Sequence, residues 1–330
     1  MKYAAVAVAV LASLTSGSVF AAKVYDSEGT ELKVGGRVEF RGDFIGTSKG
    51  AEIEGSMDDS TRARLNLKGQ SKLNDSMTAF AVYEAEQDTG TDQFENRYMY
   101  AGVDFGQQAV SFGRQDMASV IVSDFTDITE FSGIQQVIDS SSDKQDSVFA
   151  YALEMDALQF QATYQAEEAK DNDGYSIAGV YSTPFGLDLG LAYSGGDLGQ
   201  GNGSESQGLV GLAYSIENLY LAATYSRGDL DDKAASNTDK EFEAMEFAAQ
   251  YKFNQQISLA AMYTFQENKQ GSGEKYDEKD GLELVGYYKF NGHFRTYVAY
   301  YLNNLDKVAN AQGVNTQGED TLRLGVRYDF

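Results

Sequence analysis

The sequence predicts an all-β chain: a closed, 16-stranded antiparallel transmembrane β-barrel with one long connection folded back into its lumen. Three observations lead there. From Glu31 to the C-terminus, apolar and polar residues alternate with period two in segment after segment, the signature of a strand whose two faces meet different media. The connections between these segments alternate between very short turns and longer, polar, mostly acidic stretches. The composition, with 34 Gly, 22 Tyr and 19 Phe but only 1 Pro, favours strands and tight turns over helices. No segment sustains an i, i+3, i+4, i+7 stripe, so helices are expected only as short local pieces.

The first 21 residues read as an address. Lys2 supplies a positive start, Ala4 to Leu14 an apolar run of 11 residues, and Ser18-Val19-Phe20-Ala21 a small-residue cleavage pattern. This is a secretory signal peptide cut after Ala21. As a membrane anchor the run is too short, since spanning takes about 20 residues. The predicted domains are therefore a leader at 1–21 and a barrel at 22–330. Loss of Lys2 takes the formal net charge from −24 to −25.

The strands follow in order. The first is placed at 31–46 and the second at 60–73, where Arg62, Arg64, Asn66 and Lys68 interleave with Ala63, Leu65 and Leu67. Asn74-Asp75 turns the chain into 76–88, and Gly106-Gln107 joins 95–105 to 108–115. Asp156-Ala157 joins 146–155 to 157–168, where Leu158, Phe160, Ala162 and Tyr164 alternate with four polar residues. Pro184-Phe185-Gly186 joins 174–183 to 186–195, whose Leu187, Leu189, Leu191 and Tyr193 alternate with Asp188, Gly190, Ala192 and Ser194. Glu217-Asn218, Asn254-Gln255 and Asn291-Gly292 join 206–216 to 218–228, 242–253 to 256–267, and 280–291 to 293–305. The last strand, 319–330, carries Leu322, Leu324, Val326, Tyr328 and Phe330 on one face. All the short joints are made of turn formers; the long ones fall at 196–206, 229–241, 268–279 and 306–318.

An even count of long strands with short turns on one side only is the pattern of a membrane barrel. In lipid every backbone N–H and C=O must be paired, and a closed sheet has no edge. A soluble sandwich also alternates, but sixteen long strands joined by one-sided turns suit it poorly. Aromatics near segment ends (Phe44, Tyr164, Tyr193, Tyr251, Phe253, Tyr288, Phe290) fit interfacial girdles. Small outward residues, Gly36, Gly42 and Ala63, would suit close packing of one barrel on another.

The lumenal face is unusually charged. Alternation turns Lys33, Arg37, Glu39, Arg41 and Asp43 inward, with Arg62, Arg64, Asn66 and Lys68 beside them. It also puts Arg97 on one face with Met99 and Ala101, leaving Tyr98 and Tyr100 toward lipid. The first four strands thus form a basic wall, with Arg62 among its members, and charge at this depth needs water or a partner. Glu84 and Glu86 also point into the wet lumen, where solvation accounts for them. Residues 116–145 break the turn rule. They combine apolar residues (Val120, Ile121, Val122, Phe125, Ile128, Phe131) with Asp124, Asp127, Glu130 and Asp143, and a connection this long is usually functional. Folded inward, it would set Asp124, Asp127 and Glu130 against the arginines.

Composition also excludes. Fifty acidic against 26 basic residues argue against nucleic acid as a partner. With no Cys and one His, no Cys-based metal or redox site is available, and no metal or cofactor is expected. Acidic runs such as Asp229 to Asp232 lack the spacing of an EF-hand.

The stretches AKVYDSEGTELKVGGRVEF (22–40), RARLNLKGQSKLNDSMTAFAVYEAE, ENRYMYAGVDF, SFGRQD, SDFTDITEFSG, ENLYLAATYSRGDL, YYKFNGHFRTYVAYYLNNLD and LRLGVRYDF resemble the general diffusion porins of Gram-negative bacteria, most of all the vibrio outer-membrane protein U type. The resemblance covers essentially the whole chain after the leader. It implies a trimer of barrels in the outer membrane that passes small hydrophilic solutes and ions, with the loop at 116–145 as the constriction. By motif, Arg37, Arg64 and Arg97 match the family's basic constriction positions, and Lys144 a fourth. Asp127 and Glu130 stand where DxxPEFGG supplies the acidic side, although this chain reads DITEFSG, without the proline. Arg114, in FGRQD, matches an arginine used in subunit latching. Phe330 resembles the terminal signal read by the barrel assembly machinery. Outer-membrane lipid and lipopolysaccharide are the other partners implied.

Enzymatic barrels use His with Asp or Ser. The one His here, His293, stands beside the Asn291-Gly292 turn without such a companion, so a turn role is expected and no catalysis. Weak cation preference is expected from the net charge. The alternative is an adhesin or receptor barrel whose lumen does not conduct.

Overall fold

The computed structural model describes residues 21–48, 51–131, 133–233, 239–309 and 315–330. The predicted leader, apart from Ala21, lies outside these residues. The strands are β1 (Ala22–Ser27), β2 (Thr30–Ile45), β3 (Arg62–Asn74), β4 (Met77–Asp88), β5 (Glu95–Asp104), β6 (Gln108–Gln115), β7 (Gln145–Met155), β8 (Leu158–Gln165) and β9 (Gly174–Ser182). They continue with β10 (Leu187–Asp197), β11 (Gly203–Ile216), β12 (Leu219–Asp232), β13 (Asp239–Lys252), β14 (Ile257–Gln270), β15 (Lys275–Lys289), β16 (Phe294–Asn303) and β17 (Thr321–Asp329). From β2 to β17 each strand pairs antiparallel with its sequence neighbour, and β17 returns to β2 through the register Arg37↔Asp329 to Ile45↔Leu322. The result is a closed barrel of sixteen strands.

The closure contains an element absent from the sequence reading. β1 folds back on β2 through Glu28 and Gly29, both at positive φ (51° and 78°), the backbone of a tight hairpin turn. β1 and β17 then lie end to end along one edge of β2. Ala22 pairs with Val34, and Phe330 and Gly36 exchange two backbone hydrogen bonds of 3.0 Å. The Phe330 ring covers Gly36: a Cβ there would lie 2.8 Å from its Cζ. A Cβ on Gly42 would likewise strike the Met57 sulfur at 2.5 Å. Two of the small outward positions expected to seat a second barrel are therefore filled by side chains of the same chain.

The strands on the long-loop side run further than the alternation indicated, into the acidic stretches at 229–241 and 268–279. Beyond the lipid both faces meet water, so the strand continues while its apolar half-pattern stops. Within the lipid span the outward rows are apolar and exposed, for example Leu189, Leu191, Val210, Leu212, Leu259 and Val298. Exposed aromatics ring both ends, with Phe185, Tyr251, Phe253, Tyr288 and Phe290 on the turn side and Phe112, Phe149, Tyr164, Tyr175 and Tyr193 on the loop side.

One inward assignment is corrected. Tyr98 and Tyr100 do not face lipid; Tyr98 is buried, its hydroxyl donating to Asp116 at 3.2 Å, while Met99 is exposed. The β4–β5 register slips between Glu84↔Tyr98 and Ala85↔Asn96, leaving Arg97 as the extra residue of a β-bulge. A bulge inverts the parity that follows it, so Arg97 and Tyr98 both reach the interior.

Candidate functional site

The chain leaves the wall after β6, and its described residues 116–131 and 133–144 run inside the lumen. Their first turn is a short helix, α1 (Val120–Ser123), whose four residues are all buried. Ala118, Ile121 and Val122 pack on Ala178, Val180 and Leu209 of the adjoining inner wall at β9 and β11, with Phe125 and Ala192 against the same cluster. The wall is shaped for this. Gly190 of β10 and Gly211 of β11 face each other in register, and a Cβ on either would meet the Val122 side chain at 2.8 Å. The glycine pair is a notch that receives Val122 and Phe125. Burying each such aliphatic side chain contributes about 1.5–3 kcal/mol. The lumen is thus not polar throughout, as alternation alone suggested. Its wall from β9 to β14 carries Ala213, Ala222, Ala248 and Met262 beneath Phe125 and Ile128.

Polar ties fix the rest of the loop. Glu246 of β13 accepts from the Thr126 hydroxyl at 2.5 Å and the Ile134 N–H at 2.7 Å. Glu283 of β15 accepts from the N–H of Glu130 at 2.9 Å and of Phe131 at 3.2 Å. Tyr220 donates to the Phe125 carbonyl at 2.7 Å, and Gln207 to the Gln135 carbonyl at 2.7 Å. At the far wall Arg41 and Arg323 both donate to the Glu130 carbonyl, at 3.2 and 2.9 Å. The Arg323 guanidinium lies 4.2 Å from the Phe131 ring centre. The two ends of the loop are stapled by Asp116, which accepts from the Lys144 N–H at 3.0 Å as well as from Tyr98. Burial pushes the Asp116 carboxyl up to about 6, against the pull of those two hydrogen bonds.

Facing the loop is the predicted basic wall, but it is a ladder of pairs. Arg62 donates to Glu39 at 2.8 Å, Arg64 to Glu86 at 2.6 Å, and Arg97 to Glu84 at 2.8 Å. Arg37 lies 3.8 Å from Glu39 and 3.9 Å from Glu86. Solvation of Glu84 and Glu86 is therefore the wrong account; they neutralise the arginines on adjacent strands, as partly buried charges require. Nearby, Asp43 holds Arg323 by two bonds of 2.7 and 2.9 Å.

Arg37, Arg62, Arg64 and Arg97 line one cavity of about 540 Å³ together with Asp127, Glu130 and Lys144. Lys144 is ion-paired with its neighbour Asp143 on the loop itself. Asp124 is not among the residues lining that cavity; it closes α1, with its N–H on the Val120 carbonyl. On the long-loop side a second cavity of about 500 Å³ is lined by Asp43, Asp277, Glu278, Glu319 and Arg323. Arg114 pairs with Asp146 at 2.8 Å and donates to the Asn96 carbonyl at 2.8 Å. His293 sits in the β15–β16 turn, its ring nitrogen 2.9 Å from the Asp329 carbonyl. Sequence reasoning missed Glu246, Glu283, Gly190 and Gly211. The signal was present as acids and glycines at inward positions opposite a loop rich in apolar residues.

Residues 5–330 match a family model described as Gram-negative porin. Porin-like protein L of Photobacterium profundum is 31% identical, with 98% of each chain covered. Outer membrane protein U of Vibrio vulnificus is 29% identical over 100% of both. Among solved structures, Salmonella typhi OmpF in complex with daunomycin superposes with a TM-score of 0.80 at 21% identity, covering 94% of this chain and 100% of that one. The trimer form of in-vitro folded Vibrio cholerae OmpT gives 0.73 at 17% identity, covering 92% and 100%.

Proposed function

Since this chain belongs to the Gram-negative porin family and is an outer-membrane porin, we propose that it passes small hydrophilic solutes by passive diffusion through an eyelet with Arg37, Arg62, Arg64 and Arg97 on one side and Asp127 and Glu130 on the other. The observation that carries this reading is the loop itself, seated in the Gly190–Gly211 notch and tied at its tip to Glu283 and Arg323 across the lumen. A rigid partition of that kind narrows a passage without a moving lid. In liposome swelling, flux should rise linearly with solute concentration; saturation at low concentration would favour a specific channel, and no flux a receptor barrel.

Selectivity is proposed to be weak and toward cations. Glu39, Glu84 and Glu86 offset most of the arginine charge, and the loop carboxylates face further cations in the same cavity, so the acidic outer cavity sets the sign and the preference stays weak. Fixed charge of this kind raises local counter-ion concentration, and salt screens it within about 8 Å at physiological strength.

Removal of residues 1–21, assembly through Phe330 and a homotrimer complete the proposal. The OmpT likeness, described as a trimer form, supports the last. Arg114, paired to Asp146 near the loop side, remains the latch candidate. A monomeric native mass would remove the trimer.

A further inference from the structure

In the arginine ladder Arg37, Arg62, Arg64 and Arg97 each have a carboxylate at 2.6–3.8 Å, while Arg41 donates to the Glu130 carbonyl instead. Toward the short turns, which face the periplasm in such barrels, most of the cations have neither kind of partner. Lys252 closes β13 and Lys289 closes β15, while Arg295 is the second residue of β16; all three line the same cavity of about 540 Å³. Lys289 and Arg295 are directly opposite in the sheet, and Arg295 is opposite Arg327 in turn. Like charges directly opposite destabilise a ladder. Arg327 is neutralised by Asp329, at 2.5 Å. Among the described residues Lys252, Lys289 and Arg295 have no carboxylate partner. Arg295 rests over the Tyr287 ring at 5.7 Å, and its buried Nε–H has no acceptor in the protein.

We propose that Lys252, Lys289 and Arg295 form an anion-binding station in the turn-side half of the lumen, suited to phosphate monoesters of small hydroxylated molecules. Three cations match a dianion better than a monocarboxylate, and a guanidinium can grip two phosphate oxygens at once. Gln250, Gln256 and Ser258 line the same cavity and offer donors and acceptors to hydroxyl groups. Open, wet surroundings keep the binding weak, as transit demands, since a station must release what it holds; a dissociation constant on the order of millimolar suits it. The acidic cavity on the loop side and this cationic one give the passage two halves of opposite sign. The proposal rests on the channel reading above.

The test is made in planar bilayers with the purified protein in about 0.1 M KCl, where screening is moderate. Conductance in KCl alone tests the channel; its absence would overturn that reading and this one with it. Glucose 6-phosphate added on the turn side should partly block the current, and glucose at the same concentration should not. The combined Lys252→Gln, Lys289→Gln, Arg295→Gln variant should raise the half-blocking concentration by about tenfold or more. Unheated gel migration reports whether that variant is folded; if it is not, Arg295→Gln alone serves, with Arg295→Lys restoring part of the block. Equal response to glucose and glucose 6-phosphate, or block that persists in the folded variant, would overturn the station. Inorganic phosphate as a second probe should block too, though at higher concentration; silence from it would also count against phosphate recognition.

Discussion

The Glu283 carboxylate, on the inner face of β15, accepts the backbone N–H of Glu130 at 2.9 Å, and so holds the tip of the lumenal loop while Arg323, two strands away on β17, holds its carbonyl. Hydrogen bonds to a charged acceptor contribute about 1.5–3 kcal/mol each, and Glu246 adds a second such anchor at Thr126 and Ile134. Combined Glu246→Ala and Glu283→Ala substitution should free the loop tip. Single-channel recordings should then show higher open-state noise and a changed unitary conductance. Recordings indistinguishable from the parent would mean the apolar seat alone fixes the loop.

That seat has its own prediction. Gly190→Val or Gly211→Val would press on Val122 and Phe125, because a Cβ at either glycine already lies 2.8 Å from Val122. Overpacking costs about 1–3 kcal/mol, so thermal stability should drop, and Val122→Ala should restore part of it. Loss without any rescue by Val122→Ala would place the strain in the strands instead.

Charge at the eyelet is the third. Neutralising Asp127 with Glu130 should move the reversal potential toward anions. Arg64→Gln should move it toward cations, because one positive charge is lost and Glu86 loses its nearest cation, now at 2.6 Å. Both shifts should shrink as salt rises. If neither variant moves the reversal potential, these residues do not bound the narrowest section.

Asp116 sets a pH dependence. Its carboxyl stands at about 6 against an ordinary 3.8, so the folded chain holds this proton more tightly than the unfolded one. The stabilisation is fully present below about pH 4 and is lost as pH rises through 6. Asp116→Asn keeps an acceptor for the Lys144 N–H and removes the titration. The melting-temperature difference between variant and parent should therefore widen in the variant's favour from pH 4 to pH 7. A difference constant across that range would contradict the assignment.

Much of the barrel was legible because lipid and water impose period two on every spanning strand. Leu187 to Ser194 carries both faces in its letters. Legibility failed where that pressure is absent. The strand ends in 229–241 and 268–279 have water on both sides, and Arg97 hides a bulge that inverts Tyr98 and Tyr100. The arginines at 37, 62 and 64 could be read as lumenal from parity alone, whereas Arg97 reaches the lumen only through the bulge. Their pairing with Glu39, Glu84 and Glu86 could not, since it depends on which residues the register sets opposite: Arg64↔Glu86, Asn66↔Glu84 and Glu39↔Arg62. The seat of the loop lay furthest from reach, because glycine at 190 and 211 reads as a turn or weak strand residue until Val122 is seen resting on it.

The central claim, that Asp127 borders the conducting path, is tested most directly by chemistry at that position. The chain contains no cysteine, so Asp127→Cys gives a single reactive thiol, and Asp75→Cys in the exposed β3–β4 turn gives the control. A cationic methanethiosulfonate reagent applied during recording should step the conductance of each Asp127→Cys channel downward and move its reversal potential toward anions, leaving Asp75→Cys channels unaltered. Complete labelling of Asp127→Cys, verified by mass, with no change in conductance or reversal potential would contradict the claim.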